Sequence, residues 1–341
     1  MSGFGLAVMV CGAAWAKAGI PRSAVARRLA GKEVVILDGA VGTQLQKMGV
    51  PMNSHAWAAT ALQTHPYTVR LLHENYIRAG VDIITVNSYS AARHNLVPLG
   101  LEDLTRELNL RAVVLAREAR DRCAKERPIY IAGSVSNYGM RTGVEVSREG
   151  VGFFTDRVAW TEAASKANLR EQAAILAESG VDLLLCESTG GTMHRQWVLE
   201  ACLATGLPVW VGFKCHQDAA GGAPKVGYHS DEPLAASFEQ VVTMGGSVVT
   251  IFHSPIAATD AALPLVRSHW KGPIGIYPEA ERKDYVAVHK DANEPDHVSP
   301  EQFVAKAKDW VSRGVQIIGG CCGIELEHIR PLRAALPGCL Q

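Results

Sequence analysis

Three times in this chain a helical stretch closes on a glycine and runs at once into a strand. The junctions are Ala79-Gly80-Val81-Asp82, Ser179-Gly180-Val181-Asp182 and Arg313-Gly314-Val315-Gln316. A glycine in this place marks a helix C-terminus, where a left-handed residue turns the backbone. A helix that stops and re-enters a sheet without delay has the geometry of a βα repeat. The helices so closed span Pro66–Ala79, with Val69, Leu72, His73 and Tyr76 on one face, then 161–179, then 300–313 with Phe303, Ala307 and Trp310 inward.

Runs rich in Val and Ile recur at 34–37, 82–86, 129–132, 182–185, 209–213, 247–252, 274–277 and 315–318. Eight strands alternating with helices indicate the α/β class and a single (β/α)8 barrel. No Gly-x-Gly-x-x-Gly follows a strand and opens a helix, so the rival doubly wound sheet lacks its usual dinucleotide sign. The barrel domain is read as 33–341, with 1–32 as an N-terminal extension, disordered or helical. Residues 4–16 are apolar and end in Ala14-Trp15-Ala16, but no Lys or Arg precedes them as in an export signal. They are also too few to cross a bilayer. Polar, Gly/Pro-rich stretches at 216–230 and 279–299 are expected to be long loops.

Composition narrows the partners. The 34 Lys and Arg balance 34 Asp and Glu, and no basic run occurs, which argues against nucleic acid. Apolar residues are spread throughout, which excludes extensive disorder. No segment is long and apolar enough for a membrane. Eight cysteines in 341 residues are too sparse for a disulfide scaffold. The expectation is a cytoplasmic protein acting on small molecules, and a homo-oligomer is compatible with the sequence.

A barrel places its chemistry at the C-terminal ends of its strands. There this chain carries Asp38-Gly39-Ala40, Asn87-Ser88-Tyr89, the polar stretch 133–139, Cys186-Glu187, Lys214-Cys215-His216, His253, Tyr277 and Gly319-Gly320-Cys321-Cys322-Gly323. The last is the most specific. Adjacent cysteines rarely bond to each other, because the eight-membered ring strains the peptide. Both can reach one metal if the backbone turns sharply, and flanking glycines permit such a turn. Soft thiolates select zinc. The alternative is a tight turn carrying two incidental cysteines. Cys186 reads as core. His216 and His229 read as solvated loop residues, and His194 as a weak candidate for a donor contact.

Residues 314–324, Gly-Val-Gln-Ile-Ile-Gly-Gly-Cys-Cys-Gly-Ile, followed by His328-Ile329-Arg330, resemble the C-terminal motif of the homocysteine S-methyltransferase family. Leu37-Asp38-Gly39-Ala40-Val41-Gly42-Thr43, Val86-Asn87-Ser88-Tyr89, the stretch 182–188 and Ile276-Tyr277-Pro278 are similar to its other motifs. The resemblance runs from about 34 to about 336. It implies a (β/α)8 barrel with Zn2+ at the strand ends and methyl transfer to the thiol of homocysteine, giving methionine. It makes Cys321 and Cys322 metal-binding and catalytic. It makes Asp38, Gly39, Asn87, Ser88, Glu187 and Tyr277 substrate-binding, with Asp38 and Glu187 on the acceptor's ammonium.

One departure stands out. The family carries a third zinc-binding cysteine after the sixth strand, and this chain has His253 there. Imidazole is an ordinary zinc ligand, so His253 is read as the third metal-binding and catalytic residue. The alternative is a weakened or repurposed site. The chain ends soon after the eighth unit, so no cobalamin or folate module is expected. That points to a small sulfonium or betaine-type donor. Three other readings stay open: a divergent member with another thiol or methylated donor, a demethylase-like enzyme, or an amino-acid-binding zinc barrel without turnover.

Overall fold

The structure, a computed structural model, describes residues 24–53, 55–124, 127–140, 159–218, 221–228, 230–280 and 298–340. The eight strands form one parallel ring: β1 (Val35–Ile36), β2 (Ile83–Thr85), β3 (Tyr130–Ser136), β4 (Leu183–Glu187), β5 (Val209–Phe213), β6 (Val248–Pro255), β7 (Ile274–Glu279) and β8 (Ile317–Ile318). Each strand pairs with its neighbours in chain order, and β1 pairs with β8 through Val35 on Ile317 and Ile36 on Ile318. A parallel bridge between Leu37 and Ile83 closes the remaining gap between β1 and β2. This is the (β/α)8 barrel expected from the repeat.

Seven long helices among the described residues make the crossovers: α1 (Pro66–Ala79), α2 (Thr105–Cys123), α3 (Glu162–Glu178), α4 (Thr192–Leu203), α5 (Leu234–Val242), α6 (Ile256–His269) and α7 (Pro300–Ser312). After β8 two short helices, Leu326–Ile329 and Leu332–Ala335, stand in for an eighth. The three glycine junctions have the conformation the sequence required. Gly80, Gly180 and Gly314 take φ of +100°, +78° and +85°. At the last, Gly314 N donates to Val311 O at 2.9 Å and Val315 N to Trp310 O at 3.0 Å, which satisfies carbonyls left over at the end of α7. The polar residue two positions on has its own task. Asp82 accepts from Ile36 N, Asp182 from Ile131 N, and Gln316 donates to Leu29 O. These bonds lace the N-terminal rim.

Side chains on a barrel strand alternate between the interior and the helix layer. Val35, Leu37, Ile83, Ala132, Leu183 and Leu185 belong to the interior cluster, with Trp210 and Ile317. The helix Ala24–Ala30 adds Val25 and Leu29 to that cluster, so part of the segment expected as an extension caps the barrel. The apolar residues 4–16, Cys11, His229 and 281–297 lie outside the described residues. Within the expected loop 216–230, a two-stranded antiparallel ribbon pairs Cys215–His216 with Lys225–Val226. No helix of the described residues is long and apolar enough to cross a membrane.

The cap at Gly314 is testable. Alanine would have to hold a left-handed φ at a cost of roughly 1–2 kcal/mol. The side-chain atom it would meet, Arg267 Nη1 at 2.5 Å, is the free end of a flexible chain and can move away. Gly314→Ala is therefore expected to lower the unfolding free energy by about that amount, read as a lower urea midpoint, while keeping the folded spectrum. An unchanged midpoint would remove the cap from the account.

Candidate functional site

The strand alternation that fills the interior with Ala132 and Leu185 continues upward to polar residues. Two positions further come Ser134 and Glu187, whose side chains hydrogen-bond to each other. On β6 and β7, Thr250 and Tyr277 follow the same rule, with Thr250 Oγ1 and Tyr277 Oη 3.4 Å apart. The barrel interior thus turns from apolar to polar at its C-terminal end.

His253 lies on β6 where the register with β7 shifts between Phe252 and Pro255. Its φ is +43°, a left-handed conformation unusual for a residue with a side chain. His253 Nδ1 lies 3.2 Å from Cys321 Sγ. Donor atoms of His253, Cys321 and Cys322 all fall within 4.8 Å of one another, and no other such trio of His, Cys, Asp or Glu occurs among the described residues. Donors around a tetrahedral ion with metal–sulfur bonds of about 2.3 Å sit roughly 3.8 Å apart, so the set fits one metal ion. The hydrogen bond between the two thiols splits their behaviour. Cys322 is drawn well below the usual thiol range by Cys321, with His253 assisting, while Cys321 is pushed well above it. Burial opposes charge on His253, but Glu279 and Cys322 outweigh it and raise the imidazole above its ordinary value.

The flanking glycines act differently from the sequence expectation. Gly323 alone is left-handed, with φ of +76°. Gly319 and Gly320 are needed for space. A Cβ on Gly319 would meet Leu37 Cβ at 2.7 Å, and one on Gly320 would meet Ile324 Cγ2 at 2.2 Å. The turn is held by Cys321 N donating to Pro278 O and Ile324 N to Cys321 O.

Two buried carboxyls lie at the same end of the barrel as the thiols. Asp38 accepts from Thr85 N at 2.6 Å and Thr85 Oγ1 at 2.8 Å. Burial pushes its carboxyl up to about 8, with the charge of Glu187 adding to the effect. Burial also raises Glu187, against the hydrogen bonds from Ser134 and Tyr277. Such carboxyls are poised to take a cation that would restore their charge. Gly39 makes room: a Cβ there would meet Ile324 O at 2.5 Å and Tyr76 Oη at 2.8 Å. Asn87 and Ser88 spend their side chains on the frame, donating to Ala58 O and Ser134 O.

Cys186 and Cys215 are core thiols, both pushed up to about 12 by burial. His194 is buried edge-on to Trp197, and His216 lies in the ribbon with Nδ1 2.7 Å from Gly227 O. Sequence reasoning missed Thr85, Tyr228 and Glu279 as site residues, and reached Ser134 only within the polar stretch 133–139. Glu279 Oε2 lies 3.2 Å from His253 Nδ1 and Glu279 Oε1 lies 3.2 Å from Lys214 Nζ. Tyr228 Oη hydrogen-bonds His253 Nε2. Extending the seventh strand two residues past Tyr277 would have found Glu279. Tyr228 gave no signal, because it reaches His253 only through the ribbon.

Fold and rim together define a (β/α)8 barrel with a candidate Cys2His metal site facing two buried carboxyls. The sequence model of the family described as homocysteine S-methyltransferase matches residues 35–336. The chain belongs to that family and is a methyltransferase of small-molecule substrates. It is 31% identical over 323 residues to a selenocysteine methyltransferase of Astragalus bisulcatus, covering 88% of this chain and 91% of that protein. It is 28% identical over 314 residues to the homocysteine S-methyltransferase of Escherichia coli, covering 89% and 95%. The metallated crystal form of the homocysteine methyltransferase MmuM from Escherichia coli superimposes with a TM-score of 0.69 at 23% identity, covering 90% of this chain and 98% of that one, and shares its fold.

The raised carboxyl of Asp38 has a pH signature. Its folded value, about 8, lies above the ordinary 3.8, so folding favours the neutral acid. The stability it contributes is complete below about pH 4 and is lost as pH rises to about 8. Asp38→Asn stays neutral, so the substrate-free wild type should lose stability relative to it across that window. Denaturation midpoints that run parallel from pH 5 to pH 8 would count against the assignment.

Proposed function

We propose that this methyltransferase is zinc-dependent, with His253, Cys321 and Cys322 holding Zn2+. In this reading it moves a methyl group from a small sulfonium or betaine-type donor to the thiol of homocysteine, giving methionine. The observation that carries the reading is the convergence of two thiols and an imidazole beside two buried carboxyls at the C-terminal end of the barrel. Bound zinc would keep the acceptor sulfur as a thiolate near neutral pH, where a free thiol is mostly protonated.

The chain's own residues do the rest. Asp38 and Glu187 take the acceptor's ammonium, and Ser134 and Tyr277 aim Glu187 at it. Thr85 fixes Asp38 from backbone and side chain. Tyr89 and Tyr138, with ring centroids 5.3 Å apart, offer faces to a cationic donor near the thiol pair. The transfer neutralises the donor and needs no acid or base. The free thiols suit a reducing, cytoplasmic setting. The relative that methylates selenocysteine supports a selenol as a second acceptor.

Cys321→Ala and Cys322→Ala are each expected to lose bound zinc by metal analysis and to abolish methyl transfer to homocysteine. Stoichiometric zinc in both variants would defeat the ligand assignment. Glu187→Gln should retain zinc, raise the acceptor KM by roughly tenfold or more, since hydrogen bonds to charged groups contribute about 1.5–3 kcal/mol, and leave the donor KM nearly unchanged. An unchanged acceptor KM would place the ammonium elsewhere.

A further inference from the structure

His253 sits in a closed circuit of side chains that the cysteine pair does not explain. Lys214 follows β5 directly and is buried, with its Nζ 3.2 Å from Glu279 Oε1. Glu279 Oε2 is 3.2 Å from His253 Nδ1. His253 Nε2 hydrogen-bonds Tyr228 Oη, and the two rings meet edge-on with centroids 5.5 Å apart. Lys214 Nζ then lies 4.6 Å from the centre of the Tyr228 ring, which closes the circuit. The ribbon brings its two ends together: Cys215–His216 pairs with Lys225–Val226, and Gly227 N donates to Lys214 O at 2.9 Å. Lys214 and Tyr228 are thereby held on the same side of His253.

An imidazole has two nitrogens, and the partner of one decides what the other can do. Here Nε2 is turned to Tyr228 and Nδ1 to Cys321. Flipping the ring would break the contact with Tyr228 and turn Nε2 toward the sulfurs. The left-handed backbone at residue 253 is a cost that the surroundings must offset, and the circuit supplies contacts on both edges of the ring. The carboxylate beside Nδ1 is balanced by Lys214, so the clamp adds no net charge to the site.

We propose that Tyr228, carried in by the ribbon, is a positioning residue that holds His253 by Nε2 and makes Nδ1 the metal-binding nitrogen. Lys214, paired with Glu279, supports the Tyr228 ring from its face. This rests on the reading of His253 as a metal ligand. The clamp is specific to a histidine, since a cysteine at 253 would offer Tyr228 nothing to hold.

That specificity provides the test. Tyr228→Phe keeps the ring over Lys214 and removes only Oη. In the His253 protein it is expected to weaken zinc binding about 10–100-fold, measured by chelator competition, and to change the visible spectrum of the cobalt-substituted protein. In a His253→Cys background the same substitution should leave zinc affinity unchanged. Equal losses in both backgrounds would make Tyr228 a general structural support and overturn the clamp, as would no loss in the His253 protein. A second measurement does not depend on how any variant folds. In the unsubstituted protein loaded with cadmium-113 and labelled with nitrogen-15 histidine, the metal should couple to His253 Nδ1, and coupling to Nε2 overturns the proposal. His253→Ala separates the two layers. Full metal affinity there defeats the ligand reading and the clamp with it. Loss of metal there, with Tyr228→Phe unaffected, defeats the clamp alone.

Discussion

A parallel strand in a closed ring sends every second side chain inward, and this constraint organises both the stability and the chemistry of the molecule. Along β3 the inward positions read Tyr130, Ala132, Ser134, and along β4 they read Leu183, Leu185, Glu187. The lower positions bury apolar area, at roughly 1.5–3 kcal/mol for each large side chain. The upper ones spend some of that stability on holding polar groups out of water. Core and site are therefore consecutive layers of one alternation. A shift of one residue in any strand would exchange the site for the helix-facing layer.

This also explains what the sequence made legible. The strand runs are apolar on both faces, and the glycine caps have no cheaper substitute, so the eight-unit ring could be read directly. The Cys321-Cys322 pair could be read because two thiols at a strand end have few other uses. The reasons behind neighbouring glycines could not. Gly319 is small because Leu37, from the other end of the chain, approaches it, and Gly320 because Ile324 folds back over the turn. Ser134 and Thr85 looked like ordinary polar residues, since their value depends on which carboxyl lies on the neighbouring strand. Tyr228 was hidden for a similar reason: the ribbon that delivers it lies inside a stretch that reads only as polar loop.

The metal edge is where this chain departs from the pattern it resembles. With zinc bound as proposed, two thiolates and a neutral imidazole carry one negative charge fewer than three thiolates would. A less electron-rich centre acidifies an incoming thiol more strongly and leaves the resulting thiolate less nucleophilic. The strained backbone of His253 and its edge contacts indicate a residue held in place by its surroundings rather than a cysteine position merely refilled.

The seam between β1 and β8 has a kinetic side. Its pairs, Val35 with Ile317 and Ile36 with Ile318, join residues separated by most of the chain. Such contacts form late, because the entropy of closing the long loop must be met before the pairing rewards it. Cys321 and Cys322 lie just beyond β8, and Gly320 N donates to Asp38 O across the same seam. His253 and the thiols meet through β7, where Cys321 N donates to Pro278 O, so a ligand that grips all three ties β6 to β8 on one side of that seam. By mass action it holds β8 in the sheet, ready to receive β1. Its departure would first be felt as a loosening of the last strand, and only through it as an opening at the first.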